Sequence, residues 1–547
     1  MAAKKESSPP PDDATMIPTP HNGERPSDFA DRVGAWYASQ QTVDHRKGFG
    51  LYLTPVPVAH FMAEQIQVLD EHIRLLDPSA GAGILICGAV EALAAREQTP
   101  SRIEVVAYEV DQGLIKPLEA VLGHLRVWCA DAYDAEVMVK VVEGDFVLAH
   151  AEALRLMGGL LPYRSADTGF DIVIANPPYF KIPKTDPRAV AASSVVHGQP
   201  NIYGLFMAVC AALLRKGGDF IFIVPRSFAS GPYFRVFREK FFSAVRPEEV
   251  HVFASRRDAF SRDEVLQENI IFCGIRDDGW HCEQPGHYLS VTSSTGVGDI
   301  GEPERKLILL EHALDLGSVD KVLRLPTSDA DDAVLELVDS WPGTLGAFGL
   351  NISTGPVVSF RATEFIDKEG EVAVSHAPLI WMNHVHRMSV GWPNGKRKPE
   401  YIKYAATSLL LPNRNYVLLR RFSAKEERRR LTAAPYIARD FSDTPLVGFE
   451  NHLNYVHRPA GTLSEDEAWG LAALYNSALL DSYFRCINGN TQVSATELRA
   501  MPLPSLEVIT SIGQQVKKLD DPLTGLDELV LGMVTDTEEE REEAAVG

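Results

Sequence analysis

Ile73-Arg74-Leu75-Leu76-Asp77-Pro78-Ser79-Ala80-Gly81-Ala82-Gly83 runs from a short apolar stretch into a glycine-bracketed turn, and Ile84 to Arg96 then continues with apolar residues at helical spacing. A buried strand that ends in Gly-x-Gly and opens a helix is a building unit of parallel α/β sheets. Gly81 and Gly83 let the backbone turn sharply and approach a ligand with no Cβ in the way. Further strand-like runs follow at Ile103 to Glu109, Lys140 to Glu143, Phe170 to Ala175 and Asp219 to Val224, and segments such as Gly204 to Arg215 carry the helical period between them. The alternation predicts a doubly wound α/β domain, its mainly parallel sheet covered on both faces.

Working outward, residues 1–27 are rich in Pro, Ser and Asp without apolar periodicity and read as an unstructured tail. Residues 28–300 hold the α/β domain, 301–346 a connecting segment, 347–520 an α+β region with irregular strands, aromatics and basic clusters, and 521–547 a tail with nine acids and one Arg. The 547 residues, 45% hydrophobic and 23% charged, are enough for two or three cored domains. Six scattered cysteines without Cys-x-x-Cys spacing read as reduced apolar residues, and no metal site is expected. The N-terminus has no signal-peptide core, and no apolar run approaches the roughly 20 residues of a membrane span. A cytoplasmic protein without a membrane partner is the expectation.

Glu109 closes the strand after the glycine turn, where a carboxylate can accept both hydroxyls of a ribose, so the pair implies an adenosine-type ligand. Asp145 and Phe146 follow the next strand. They suit an exocyclic amine and a purine face, or equally a turn acid and a core ring. No Gly-x-x-x-x-Gly-Lys-Ser/Thr cradle is present, which disfavours ATP hydrolysis.

Asn176-Pro177-Pro178-Tyr179 stands at the carboxyl end of the fourth strand, the place where open α/β sheets bind ligands. An amine conjugated to a ring is a poor nucleophile because its lone pair is delocalised. The Asn176 side-chain oxygen and the Pro177 carbonyl can each accept one N–H, drawing the nitrogen toward a tetrahedral shape with its lone pair aimed at an electrophile. Tyr179 offers a flat face for stacking.

With these residues in hand, the sequence resembles the gamma-type DNA adenine-N6 methyltransferases of type II restriction-modification systems. The order of motifs matches: Lys47-Gly48-Phe49-Gly50-Leu51-Tyr52-Leu53-Thr54-Pro55 before the glycine turn, then Gly81, Gly83, Glu109, Asp145-Phe146, Asn176 to Tyr179, Asn201 to Phe206 and Lys216 to Pro225. Ser79-Ala80 stands where that family more often has Ala-Cys. The resemblance implies a class I, Rossmann-like methyltransferase fold with a C-terminal target-recognition domain, and S-adenosylmethionine as cofactor, held by Thr54, Pro55, Asp77, Gly81, Gly83, Glu109, Asp145 and Phe146. It implies methylation of N6 on an adenine flipped out of double-stranded DNA, with Asn176, Pro177 and Tyr179 catalytic. Phe260, ahead of Val265 to Ile270, is expected as the second aromatic on the base, with Phe253 the alternative. Protection of host DNA from a separately acting restriction endonuclease would follow.

The formal charge of −21 argues against a polyanionic partner, but Gly395 to Arg430 carries eleven Lys and Arg against three Glu. Screening over about 8–10 Å makes acids on a distant face irrelevant to a phosphate there. Lys396, Lys398, Arg420, Arg421, Asn490 and Gln492 are the candidate DNA contacts; solvated helix faces and polar turns are the alternatives for this region. Three rivals are a protein glutamine-amide methyltransferase, an RNA adenine methyltransferase and a catalytically idle DNA-binding subunit. The first does not explain the segment ahead of the glycine turn, and the third has no reason to keep Asn176 with Glu109. Glu304-Arg305-Lys306 has nuclease-like spacing but no evident metal-binding partner.

Overall fold

The computed structural model describes residues 16–535 apart from 51–52, 134, 157–168, 197–199, 255–267, 281–285, 368–374, 396–397, 424–426, 442–443 and 489–491. The chain divides into one unit of residues 1–229 with 233–323 and a second of 230–232 with 324–547.

The first unit is organised by a nine-stranded sheet. Its strands are β1 (His72–Asp77), β2 (Arg102–Glu109), β3 (Glu136–Glu143), β4 (Phe170–Ala175), β5 (Leu214–Pro225), β6 (Val245–Phe253), β7 (Asn269–Arg276), β8 (Tyr288–Ser294) and β9 (Glu304–Leu309), in the order β3-β2-β1-β4-β5-β7-β6-β8-β9. β1 to β5 run parallel, and β7 is inserted antiparallel between β5 and β6. This is the doubly wound sheet of class I methyltransferases. Strand order reverses between β1 and β4, so the crevice at their carboxyl ends is the natural ligand site. β4 is buried along its whole length, which is why it reads as an unbroken apolar run.

Helices Pro26–Gln40, Val56–Glu64 and Ile84–Ala94 cover one face, packing Phe29, Val58, Met62, Ile86 and Val90 against Ile73, Leu75, Ile172, Ile174 and Ile223 of the sheet. The helix from Pro26 begins inside the stretch expected to be unstructured. Ser27 is buried, with its amide and hydroxyl donating to Glu91 at 2.7 and 2.9 Å. The polar letters around Pro26 start a helix rather than a tail, and the apolar face becomes visible only from Phe29. The expected connecting segment is also divided differently. β9 is the sheet's outer strand, whereas helix Asp329–Asp339 puts Leu335 and Val338 into the core of the second unit.

The second unit holds a four-stranded antiparallel sheet of Asn351–Thr354, Leu453–His457, Tyr416–Arg420 and Ala433–Tyr436, together with a five-stranded sheet. Helices Glu465–Asn476, Ala478–Ile487 and Leu506–Val516 follow. The acidic C-terminal segment is not all tail. Residues 526–535 are helical, and Leu526, Val530 and Val534 are buried at spacings of one helical turn that the acids around them conceal.

Gly470 and Gly513 let two of these helices touch backbone to backbone. A Cβ on Gly470 would lie 1.8 Å from the Ile509 carbonyl oxygen, and one on Gly513 would lie 1.9 Å from that of Asp466. Gly470→Ala must push the helices apart. It should lower the unfolding midpoint of the second unit, costing about 3 kcal/mol in equilibrium denaturation; an unchanged midpoint would contradict this packing.

Candidate active site

A cavity of about 270 Å³ opens at the carboxyl ends of β1, β2 and β4. Phe49, Gly50, Ser79, Gly81, Glu109, Asp111, Asp145, Phe146, Asn176, Pro178, Phe180 and Arg188 are among its walls.

Glu109 receives three backbone N–H groups: Gly81 at 2.8 Å on Oε2, and Val110 and Asp111 at 2.9 and 2.8 Å on Oε1. Burial still pushes its carboxyl above the usual carboxylate range, with these donors acting in opposition. The glycine turn is thereby tied to the end of β2. Asp145 caps the short helix Phe146–Ala149 by accepting from Leu148 N–H at 2.9 Å. Phe146 is buried against the rings of Tyr108, His150 and Phe206, with centroids 5.1, 5.0 and 5.4 Å away.

Asn176 is held from three directions. Its Nδ2 donates to the Thr54 hydroxyl at 3.0 Å, its backbone carbonyl accepts from the Ser79 hydroxyl at 3.2 Å, and its Oδ1 accepts from the Tyr179 hydroxyl. That hydroxyl also lies 2.9 Å from the Ile223 carbonyl and has one proton to give. Thr54 and Tyr179 together fix the plane of the carboxamide and direct its oxygen away from Thr54.

Gly81, Glu109, Asp145, Phe146 and Asn176 therefore meet at one cavity, as expected from the sequence. Other expected residues stand elsewhere. Thr54 is buried beneath Asn176, Pro55 precedes helix Val56–Glu64, Gly83 caps helix Ile84–Ala94 and Pro177 is buried; none of the four is a wall of the cavity. Asp77 is 1% exposed, accepts from Ser79 N–H at 3.0 Å on Oδ1, and has no hydrogen-bond partner on Oδ2 among the described residues. The ring of Tyr179 does not offer the open stacking face expected of it: it is 7% exposed and meets Tyr203 edge-on at 6.3 Å, while Pro178 and Phe180 line the cavity. Phe260 lies outside the described residues.

Sequence reasoning missed two features of the site. Asp111 Oδ2 accepts from the Tyr37 hydroxyl at 2.8 Å and lies 2.7 Å from His45 Nε2, anchoring the helix Val43–Phe49 that leads into the cavity wall. Arg188 grips Asp186 through Nε and Nη2 at 2.8 and 2.7 Å and reaches Asp145 at 3.4 Å. Only the acid two positions after Glu109 signals the first in the sequence, and for the second only Asp186 is a local neighbour of Arg188, while its reach to Asp145 has no local signal. Gly50 has a φ of +65°, and a Cβ there would meet Pro178 Cβ at 2.6 Å, so the opening motif rests directly on the loop after β4.

In the second unit, Arg420-Arg421-Phe422 and Gln492-Val493 are brought side by side through a Phe422–Gln492 bridge and a 2.8 Å bond from Val493 N–H to the Arg421 carbonyl. Gln492 is exposed, and Lys398 Nζ sits 4.4 Å from the Trp381 ring centroid. Other bases of the cluster serve the fold. Arg430 is buried and donates to Ser423 and Asn488, Arg429 pairs with Asp527, and Arg420 and Arg421 donate to the carbonyls of Val385 and Asn451. Lys396 and Asn490 lie outside the described residues.

The family model of the Eco57I restriction-modification methylases matches residues 134–260, a stretch that contains Asn176-Pro177-Pro178-Tyr179. The type II methyltransferase M.PstI of Providencia stuartii is 32% identical over 498 residues, 90% of this chain and 94% of its own. This chain belongs to the type II methyltransferases of restriction-modification systems. M.BsuBI of Bacillus subtilis is 31% identical to this type II methyltransferase over 477 residues, 86% of this chain and 91% of its own. Among solved structures, the type IIG restriction endonuclease BpuSI is similar at a TM-score of 0.42 and 14% identity, covering 93% of this chain and 68% of that one.

S-adenosylmethionine is the cofactor of such a methyltransferase, and the cavity has the donor set for it. Glu109 and the Gly81 backbone suit a ribose, Asp145 with Phe146 and Phe206 suits a purine and its amine, and a Cβ added at Gly81 would project into open space. Among the described residues no helix is long and apolar enough to cross a membrane.

Two outcomes are expected. Thr54→Val removes the acceptor that orients Asn176 and should lower kcat about tenfold with KM for S-adenosylmethionine unchanged; steady-state methyl transfer checks this. Burial pushes the Asp77 carboxyl up to about 7. Its contribution to stability is thus present below the unfolded value of about 3.9 and is lost as pH rises to about 7. Asp77→Asn should flatten the fall of Tm across that window in the cofactor-free protein, and an unaltered slope would contradict the assignment.

Proposed function

We propose that this site-specific DNA methyltransferase acts on N6 of an adenine rotated out of duplex DNA, and that its modification shields host DNA from a separately acting restriction endonuclease. The observation that supports the reading is the pinned carboxamide of Asn176 at the mouth of the cavity walled by Gly81, Glu109, Asp145 and Phe146.

Inside the duplex the adenine amine is out of reach, and extrusion costs a few kcal/mol. Stacking on an aromatic returns roughly 1–3 kcal/mol per base, a role proposed for Phe260. The Tyr179 hydroxyl donates to Asn176 Oδ1, and because an amide oxygen has two lone pairs the incoming amine N–H shares that acceptor with it. Asn176 Oδ1 and the Pro177 carbonyl then hold the two N–H groups, so the nitrogen lone pair faces the methyl. S-adenosylmethionine supplies that methyl on a positively charged sulfur. Gly81, Glu109, Asp145 and Phe146 bind and orient the donor, with Asp77 and Thr54 behind them. Alignment supplies most of the acceleration. The exposed Gln492 and Lys398 are the proposed contacts to DNA.

Asn176→Ala should cut methyl transfer by about a thousandfold while leaving S-adenosylmethionine affinity within about twofold, read by tritium transfer and calorimetry. Mass spectrometry of nucleosides from wild-type product should show N6-methyladenine; N4-methylcytosine would overturn the adenine assignment.

A further inference from the structure

Asn269 is 3% exposed, and among the described residues neither its Nδ2 nor its Oδ1 has a hydrogen-bond partner. An unsatisfied buried amide group costs about 1–3 kcal/mol, so a polar side chain kept in this state calls for an explanation. Its place in the sheet supplies one. Asn269 begins β7, and because β7 runs antiparallel to β5, its first residue lies at the sheet edge where the parallel strands end. The register pairs Asn269 with Pro225 and Ile271 with Ile223, the residue whose carbonyl the Tyr179 hydroxyl reaches.

Side chains alternate along a strand, so Asn269 shares a face with Ile271, and Ile271 belongs to the same core cluster as Ile223, Ile172 and Ile174. Asn176 follows Ile174 at the same alternation. The two carboxamides thus stand on one face at one edge of the sheet, with β5 between their strands, a lateral separation of about 10 Å at ordinary strand spacing. The start of β7 is fixed independently of Asn269. Arg226 N–H donates to the Glu268 carbonyl at 2.7 Å, and the Arg226 guanidinium pairs with the buried Glu268 carboxylate at 3.0 Å.

We infer that Asn269 reads the ring edge of the extruded adenine, its Nδ2–H donating to a ring nitrogen while Asn176 and Pro177 hold the amine. The inference rests on the adenine reading stated above. An adenine ring nitrogen is an acceptor that matches this donor. A two-ring base, held by its amine at Asn176, extends toward β7 further than a one-ring base does, which favours a purine over cytosine.

The test uses the full-length enzyme on synthetic duplexes whose target adenine is replaced in turn by 1-deaza-, 3-deaza- and 7-deazaadenine. On adenine, Asn269→Ala should lower kcat/KM about tenfold, and Asn269→Asp, which keeps the shape but loses the donor, should do the same. One of the three deaza bases should cost the wild type about tenfold and cost either variant nothing further. Calorimetric binding of S-adenosylmethionine and Tm identify a variant that has failed to fold, in which case the isosteric Asp variant decides. Equal penalties for wild type and variant on every deaza base, or a variant at the wild-type rate, would overturn the inference while wild-type N6-methyladenine still upheld the adenine reading. Methylated cytosine from the wild type would overturn both.

Discussion

One carboxamide, that of Asn176, is where separate parts of the chain come to agree. Thr54 from the segment before the first strand holds its nitrogen, Ser79 from the glycine turn holds its backbone, and Tyr179, leaning on the Ile223 carbonyl of β5, holds its oxygen. None of these contacts is strong alone, since a neutral hydrogen bond nets about 1 kcal/mol. Their value is directional. A planar group gripped at both ends cannot rotate, so the direction in which it faces the cavity is fixed.

The glycine turn is bound into the same arrangement. Gly81 N–H lies on Glu109 while the adjoining Ser79 hydroxyl lies on Asn176, so the ligand-facing ends of β1, β2 and β4 are linked through one short loop. Gly50 against Pro178 closes the arrangement from the other side. A shift at the Glu109 end of the cavity is therefore passed to the loop after β4 through the Ser79 hydroxyl, with little slack to absorb it.

Much of this was legible in the sequence because the sheet is parallel and buried. Phe170–Ala175 reads as a strand because both of its faces are covered, and a tetrapeptide as uncommon as Asn-Pro-Pro-Tyr at its end marks the site. What was not legible depends on partners distant in the chain. Arg188 looks like any loop arginine until Asp145 and Asp186 are seen around it. Tyr179 suggests an open ring until its hydroxyl is found on Asn176 and its ring against Tyr203. The basic run from Gly395 to Arg430 misled for the same reason: charge is visible in sequence but its use is not, and Arg430 spends its guanidinium inside the core. Where polarity masked a helix, as around Pro26 and in residues 526–535, the apolar positions were present but spaced among acids and prolines.

The reversed direction of β7 has a consequence for how such an enzyme can diversify. In an all-parallel sheet every residue at the ligand edge closes a strand and is followed by a loop already committed to cofactor or catalysis. Turning one strand around lets a residue that opens a strand stand at that edge. Exchange of that single residue changes the chemistry offered at the edge without touching the ends of the parallel strands.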